Sequence, residues 1–132
     1  MEYKTIFEIG EKITGEEGNN FNGTAYLKRL VPSDSGHDVT ISNVTFEPGC
    51  RNSWHTHPGG QILLVTEGEG WYQEEGKDVM ELLPGTVVII PADTRHWHGA
   101  KKDSFLDHIA ISTKISLGPC DWQEPITHYD EI

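Results

Sequence analysis

Short runs of β-branched and aromatic residues dominate the hydrophobic pattern of this chain. Large and small or polar residues alternate between positions 39 and 46, and again between positions 105 and 112. A period of two predicts strands, and these runs are too short for helices. In the first run neither parity is wholly polar. We therefore expect this strand to meet packed surface on both sides.

Turn signals punctuate the strands at short intervals. They are rich in glycine, proline and acidic residues and fall at positions 32–36, 48–49, 58–60, 68–70, 74–77, 84–85 and 91–93. Many short strands with such spacing predict an antiparallel sandwich or barrel. Residues 11 to 20 are polar and glycine-rich, which predicts a solvated loop between a short first strand and a strand near Ala25–Val31. The tail from Asp121 carries aromatic residues, so we expect it to dock on the barrel.

Composition limits the classes of function. The chain has 132 residues, 36% hydrophobic and 23% charged, which fits one globular domain over residues 1–132. Its net charge of −11 would repel a phosphate backbone, so no nucleic-acid partner is expected. No apolar run approaches the roughly 20 residues of a membrane helix, and no secretory signal is readable. A cytoplasmic protein without a membrane partner is the expectation.

The two cysteines, Cys50 and Cys120, lack the spacing of a zinc site or of a disulfide framework. We interpret both as reduced thiols. Cys50 lies five residues before His55 and is a conceivable ligand. Burial in the core is the commoner role of such a residue, and we prefer it.

Four side chains have the spacing of a metal site. His55 and His57 are two residues apart, so on a strand both rings project from one face. The turn at positions 58–60 then leads to Gln61, whose amide oxygen is a third candidate ligand, and His96 follows a second turn. A bare His-x-His pair arises easily by chance, and its rings then merely cap a turn. The spacing of the later residues favours a ligand set.

These residues lie in two recognisable motifs. Gly49-x5-His55-x-His57-x3-Gln61-x6-Gly68 resembles the first cupin motif, and Gly85-x5-Pro91-x-Asp93-x2-His96 resembles the second. The resemblance implies an all-β fold, a cupin jelly-roll (double-stranded β-helix) barrel, with site motifs at residues 49–68 and 85–100. It also implies one divalent metal ion bound by His55, His57, Gln61 and His96.

Three positions depart from the cupin pattern. Gln61 stands where the family usually has glutamate, Asp93 where it usually has glycine, and Ala100 where it often has asparagine. Only Gln61 would touch the metal. Three imidazoles and an amide are all neutral, so the ion would keep its double charge and act as a stronger Lewis acid, while oxidised metal states are disfavoured.

A narrower resemblance extends through most of the chain. Residues 44–49, 54–58 and 96–100 and the pair Asp121-Trp122 look like the small bacterial cupins that include manganese-dependent hydroxynitrile lyases. It implies manganese as the metal, although iron, nickel and zinc also suit imidazole-rich sites. It further implies that His108 handles a proton and that Ser42 and Val44 line the substrate cavity. The alternative for Ser42 and Val44 is simple core packing.

His108 is the best candidate general base on independent grounds. Its strand face carries the small residues Ala110 and Ser112 and so could border a cavity. The alternative is a structural histidine that donates to a backbone carbonyl. His98 shares a parity with His96 and is a candidate for positioning the ligands or for replacing one of them. With Ser42 and Val44, the residues Ala110, Ser112 and His98 complete the predicted pocket.

Three functions follow as hypotheses. The first is a metal-assisted lyase of the hydroxynitrile-lyase type, acting on a small molecule, with His108 as general base. The second is a metal-dependent dioxygenase of a small enol or aromatic compound, which the neutral Gln61 disfavours. The third is a non-catalytic metal-binding or ligand-binding cupin. Exposed edge strands and a short terminal strand also predict a homodimer.

Overall fold

Thirteen strands follow one another along the chain in a computed structural model that describes residues 5–132. A one-turn helix, α1 (Gly15–Gly18), and two 3-10 turns, Ile115–Leu117 and Tyr129–Glu131, complete the elements. The strands are β1 Glu11–Lys12, β2 Phe21–Asn22, β3 Ala25–Val31, β4 Val39–Phe46, β5 Arg51–Asn52, β6 His55–Thr56, β7 Gln61–Gly68, β8 Gly70–Glu74, β9 Met80–Leu82, β10 Val87–Ile90, β11 His96–Ala100, β12 Leu106–Thr113 and β13 Asp121–Trp122.

The strands form two antiparallel sheets. One sheet has the order β1-β3-β4-β12-β7-β10. The other contains β13-β6-β11-β5-β2, and β8 pairs with both β11 and β9. The all-β prediction is therefore confirmed. In the first sheet, His108 of β12 lies opposite Val44 of β4 and Val65 of β7, so these side chains share one face.

Alternation places the site on the inner face of this sheet. Along β4 the inner positions are Ser42, Val44 and Phe46, and the outer positions between them are Asn43 and Thr45. All five are buried, which agrees with the expectation of packed surface on both sides of this strand.

The predicted loop at residues 11 to 20 is partly wrong. Glu11 and Lys12 form β1, which pairs with Tyr26 and Leu27 of β3, and α1 follows at once. No residue of this segment is buried. The polar composition correctly predicted that this segment is exposed to solvent. A two-residue strand and a single helical turn are too short to produce a recognisable hydrophobic period, so neither was predicted.

The core is formed by apolar side chains from both sheets. Phe46, Leu63, Leu82, Leu106 and Cys50 are fully buried there. Cys50 therefore packs in the core, as preferred from the sequence.

The C-terminal tail docks on the second sheet, as predicted. In β13, Trp122 lies opposite His55 of β6, and the main chain of Gln123 and Glu124 bonds to Trp54 on both sides. Arg95 holds the tail from the other direction: it donates to Gln123 at 2.6 Å and pairs with Glu124. The tail is thereby bonded to the residues that directly precede His55 and His96.

The edge strand β10 exposes apolar side chains, 58% of Val87 and 75% of Ile89. An exposed apolar edge strand can pair with a second copy of the chain. The homodimer stays a prediction, and size-exclusion chromatography with light scattering would test it. Between residues 5 and 132, no helix is long and apolar enough to cross a membrane.

Candidate metal centre

Strand pairing brings the two cupin-type motifs together. His55 of β6 and His96 of β11 are direct register partners, and their ring centroids are 4.2 Å apart. His57 follows β6, with its ring centroid 5.2 Å from that of His55 and 5.7 Å from that of His96. The strand containing His55 ends at this point because Pro58 cannot donate a main-chain hydrogen bond.

A tight turn sets the position of His57 relative to the next strand. The carbonyl oxygen of His57 accepts from the main-chain nitrogens of Gly60 at 3.0 Å and Asp93 at 2.9 Å. A Cβ atom on Gly59 would lie 2.0 Å from the carbonyl oxygen of Thr113, so only glycine fits there. Asp93 has a φ of 59°, in the left-handed region, which explains why glycine is usual at this position and why aspartate is tolerated.

Main-chain carbonyl groups fix the ring orientation of His55 and His96. His55 Nδ1 lies 2.7 Å from the carbonyl oxygen of Ser53, and His96 Nδ1 lies 2.8 Å from that of Thr94. A carbonyl only accepts, so each Nδ1 carries the proton and each Nε2 keeps its lone pair. His96 Nε2 and His57 Nε2 are buried and have no hydrogen-bond partner.

The side chain of Gln61 is also held by one hydrogen bond that leaves its second polar atom without a partner. Its Nε2 donates to Ser112 Oγ at 3.4 Å, while its Oε1 is buried without a partner. Gln61 is itself buried and opens β7. An amide whose nitrogen is engaged and whose oxygen is free has the orientation of a metal ligand.

Burial keeps the cluster neutral. It lowers the pKa of His55 well below the usual 6.5 and that of His57 to about 4, and proximity to His96 lowers both further. The pKa of His96 is also lowered by burial, which the carbonyl of Thr94 partly offsets. Neutral imidazoles are the form that binds metal ions.

Two overlapping groups of donor atoms are close enough to share an ion. The ligand atoms of His55, His96 and His98 lie within 4.8 Å of one another, and so do those of His55, His57 and Cys120. The predicted histidines are thus divided between two groups that share His55. Orphaned, buried and neutral donors at one place fit a divalent metal ion.

His98 is held by a different partner. The Oδ1 of Asn52 accepts from the main-chain nitrogen of His98 at 2.9 Å, which leaves Asn52 Nδ2 facing His98 Nε2 at 3.1 Å. Because Nδ2 can only donate, His98 Nε2 is the acceptor and Nδ1 carries the proton. Neither nitrogen then offers a lone pair to a metal. This geometry favours His98 as a positioning group rather than a ligand.

A cavity of about 630 Å³ opens beside the cluster. Its size suits a small organic molecule. The side chains of the predicted pocket all line it, namely Ser42, Val44, Ala110, Ser112 and His98, together with His55, His57 and Gln61. Contact of these residues with a substrate stays a prediction.

His108 lies deeper than its strand neighbours. It is fully buried and is absent from the residues that line the cavity within the described part of the chain. Its ring contacts Phe46, centroids 5.2 Å apart, and His98, centroids 5.0 Å apart, and both of these line the cavity. The shared face with Ala110 and Ser112 is as predicted, but the cavity stops one layer short of His108.

The surroundings of His108 leave it neutral and nearly unbonded. Neither ring nitrogen makes a hydrogen bond of normal geometry. Burial lowers its pKa to about 4, and polar contact with the backbone of Val44 offsets a small part of this effect. The contact with the Val44 backbone is of the kind that the structural alternative expects, so the role of His108 stays a prediction.

Three residues of the site were not found from the sequence. Asn52 fixes His98, Trp122 packs its ring on His55 with centroids 4.5 Å apart, and Cys120 approaches His55 and His57. All three depend on pairing between distant segments. The aromatic composition of the tail and the place of Asp121-Trp122 in the narrower resemblance were the available signals, and they indicated docking but not the contact with His55.

Comparison with known proteins agrees with this architecture. The family model described as a cupin domain matches residues 42–109. The chain therefore belongs to the cupin family, and the predicted cupin barrel with a single domain is confirmed.

Two relatives resemble the chain over most of its length. It is 40% identical over 123 residues to a protein of Granulicella tundricola named (R)-mandelonitrile lyase, covering 92% of this chain and 94% of the relative. It superposes with a TM-score of 0.91 on the crystal structure of a cupin-like protein from Thermotoga maritima, at 45% identity, covering 97% of this chain and 96% of that one. DMSP lyase DddQ from Ruegeria pomeroyi shares the fold alone, with a TM-score of 0.67 at 17% identity, covering 94% of this chain and 62% of that one.

Proposed function

We propose that this cupin is a metal-dependent lyase that cleaves and forms a small cyanohydrin such as mandelonitrile. The observation that carries the proposal is the set of unpartnered, neutral donor atoms of His57, Gln61 and His96, of which His57 and Gln61 line a cavity of about 630 Å³. The relative named (R)-mandelonitrile lyase supports the substrate class.

The ligands in this proposal are His55, His57, Gln61 and His96. A divalent ion bound there, with manganese as first choice, would supply Lewis acidity toward a hydroxyl or carbonyl oxygen. Since none of the four side chains is charged, they leave that acidity undiminished. Gln61 also cannot accept a proton, so another group must do so.

His108 accepts the proton in this proposal. In the cleavage direction the cyanohydrin O–H bond breaks and its proton moves to an imidazole nitrogen of His108. The carbon–carbon bond then breaks, its electron pair leaves with cyanide, and the oxygen becomes a carbonyl. The imidazolium returns the proton to cyanide, so the products are an aldehyde and hydrogen cyanide. A pKa near 4 makes that imidazolium a ready proton donor but the neutral ring a weak base, so the Lewis acidity of a bound ion would have to make the hydroxyl more acidic.

The proton must cross one layer of side chains to reach His108. His98 lies between the cavity and His108, with its Nδ1 buried and unpartnered. Val44, which lines the cavity, lies opposite His108 on the next strand. We assign to Ser42, Val44, Ala110 and Ser112 the task of leaving room for a substrate with one small ring.

The test is an assay of benzaldehyde with cyanide, and of mandelonitrile cleavage, on protein loaded with Mn²⁺. Elemental analysis of the protein as purified identifies the resident metal. We expect His108→Ala to lower kcat/KM by ~10²- to 10⁴-fold while manganese remains bound. His37→Ala is the matched control, because His37 is exposed in a loop.

Other outcomes would reject parts of the proposal. Equal activity in the His108→Ala variant would remove His108 from the mechanism. Oxygen uptake with a small enol or catechol, and no cyanohydrin turnover, would point to a dioxygenase. Retention of metal and ligand without turnover of any tested compound would leave a binding protein.

A further inference from the structure

The tail places a thiol beside two of the candidate ligands. In β13, Asp121 lies opposite Thr56 and Trp122 opposite His55. One step further back along this antiparallel pairing, Cys120 comes beside His57. The sulfur of Cys120 and the ring nitrogens of His55 and His57 lie within 4.8 Å of one another. Cys120 is a free cysteine and lines the cavity.

Independent observations indicate that a ligand belongs at this place. His96 Nε2 and Gln61 Oε1 are unpartnered polar atoms on side chains that are at least nine-tenths buried, and His57 Nε2 is unpartnered as well. The thiol therefore approaches one donor that lacks a partner, His57 Nε2, while His96 belongs to the neighbouring group that shares His55. Cys50, the other cysteine, is enclosed by apolar core residues and gives an internal comparison.

We propose that Cys120 is a sulfur ligand that lets this centre bind Zn²⁺ or Co²⁺ together with His55 and His57. On binding, the S–H bond breaks, its proton passes to the buffer and a sulfur–metal bond forms, with no change of oxidation state. Thiolate is a soft ligand that suits zinc and is poorly suited to manganese. Cys120 thus determines which metals the centre prefers.

The position of the sulfur has a consequence for function. Cys120 lines the same cavity as His55 and His57, so a metal that it binds has one fewer position facing the cavity. A zinc ion bound by Cys120, His55 and His57 would keep one of its four tetrahedral positions for a further ligand. The proposal rests on metal binding by the histidines and is independent of the lyase reaction.

The test uses the full chain, freed of metal and loaded with Co²⁺. We expect a thiolate-to-cobalt charge-transfer band in the near ultraviolet for the wild type and for Cys50→Ser, and its loss in Cys120→Ser and Cys120→Val. Zn²⁺ affinity should fall at least ~10-fold in Cys120→Ser, while Mn²⁺ affinity changes little. Retained Mn²⁺ binding shows that the variants fold.

The outcomes separate this proposal from the previous one. Visible cobalt d–d bands without a charge-transfer band in the wild type would overturn sulfur ligation and leave the histidine centre intact. A charge-transfer band that survives Cys120→Ser but not Cys50→Ser would also overturn it. Failure of the wild type to bind any of the three metals would overturn both the centre and its sulfur ligand.

Discussion

Strands β4 and β12 carry buried polar side chains on both faces, and the two faces are built differently. On the outer face, Thr45 donates to Asp107 at 2.8 Å and Asn43 donates to the carbonyl oxygen of Glu8 at 3.1 Å. On the inner face, both nitrogens of His108 and the hydroxyl of Ser42 make no hydrogen bond of normal geometry.

The difference indicates which face is a site. Each outer residue makes at least one hydrogen bond, although Asn43 Oδ1 and Asp107 Oδ2 lack partners, and within the described chain none of the three lines the cavity. The inner face instead leads to unpartnered atoms beside a cavity. Buried polar groups without partners cost roughly 1 to 3 kcal/mol each, so unpartnered groups that adjoin a cavity call for a ligand.

Burial shifts the pKa values of the two faces in opposite directions. It raises the pKa of Asp107 to about 6, although hydrogen bonds from Thr45 and Asn43 lower it. It lowers the pKa of His108 to about 4. In each case the charged form is disfavoured. The two faces should therefore respond to acid with opposite signs.

The largest effect should come from removing a ligand of the inner cluster. We expect His96→Ala to lower metal affinity by at least ~100-fold, because His96 faces His55 directly and its Nε2 is unpartnered. Isothermal titration of metal-free protein with Mn²⁺ measures this, and His37→Ala is the control. Unchanged affinity in His96→Ala would mean that the ion, if any, binds elsewhere.

The inner face should make the metal-free protein sensitive to acid. His108 has a folded pKa below its unfolded value near 6.5, so its contribution to stability is present above pH 6.5 and is lost as the pH falls toward 4. The shift corresponds to roughly 3 kcal/mol. Urea unfolding with chelator at pH 4 to 7 should show a weaker dependence in His108→Asn. An identical dependence would contradict the assigned pKa.

The strands and the ligand pattern were predictable because they depend on local sequence. Strand β4 begins and ends as predicted, and Gln61 opens β7 as expected from the turn before it. Alternating residues and turn signals act over a few neighbours, so they can be recognised without a structure. The motif spacing then indicated the family.

What could not be predicted depends on distant pairing. The approach of Cys120 to His57 requires that β13 add to β6, some 60 residues away in sequence. The bond between Asn52 and His98 joins two strands in the same way. The depth of His108 behind Phe46 depends on how side chains pack, which alternation does not determine.

The outer face should show the opposite response to acid, with a somewhat smaller magnitude. The folded pKa of Asp107 is raised, so its ionisation weakens the folded state as the pH rises from about 4 to about 6. Asp107→Asn removes that penalty, so relative to wild type the variant should gain roughly 2 to 3 kcal/mol between pH 4 and pH 7.

Matched measurements make this comparison sharp. Urea unfolding of Asp107→Asn and His108→Asn at the same pH values should give difference curves of opposite slope. Manganese affinity should be unchanged in Asp107→Asn, because its face is separate from the cluster. A difference curve for Asp107→Asn that is flat with pH would show that Asp107 titrates normally.

The smallest effect should come from Asn52 of β5, whose side chain bonds to His98 of β11 within the second sheet. Asn52→Ala removes the acceptor for the main-chain nitrogen of His98 and the donor to its Nε2. We expect a loss of about 1 to 2 kcal/mol in stability and a His98 ring whose tautomer is no longer fixed. Nitrogen-15 NMR of the histidine rings reports the tautomer directly, and exposed Asn22 provides the control as Asn22→Ala. If Nε2 of His98 already carries the proton in the wild type, Nδ1 has a free lone pair. His98 would then be a ligand together with His55 and His96, and the assignment of His98 as a positioning group would be wrong.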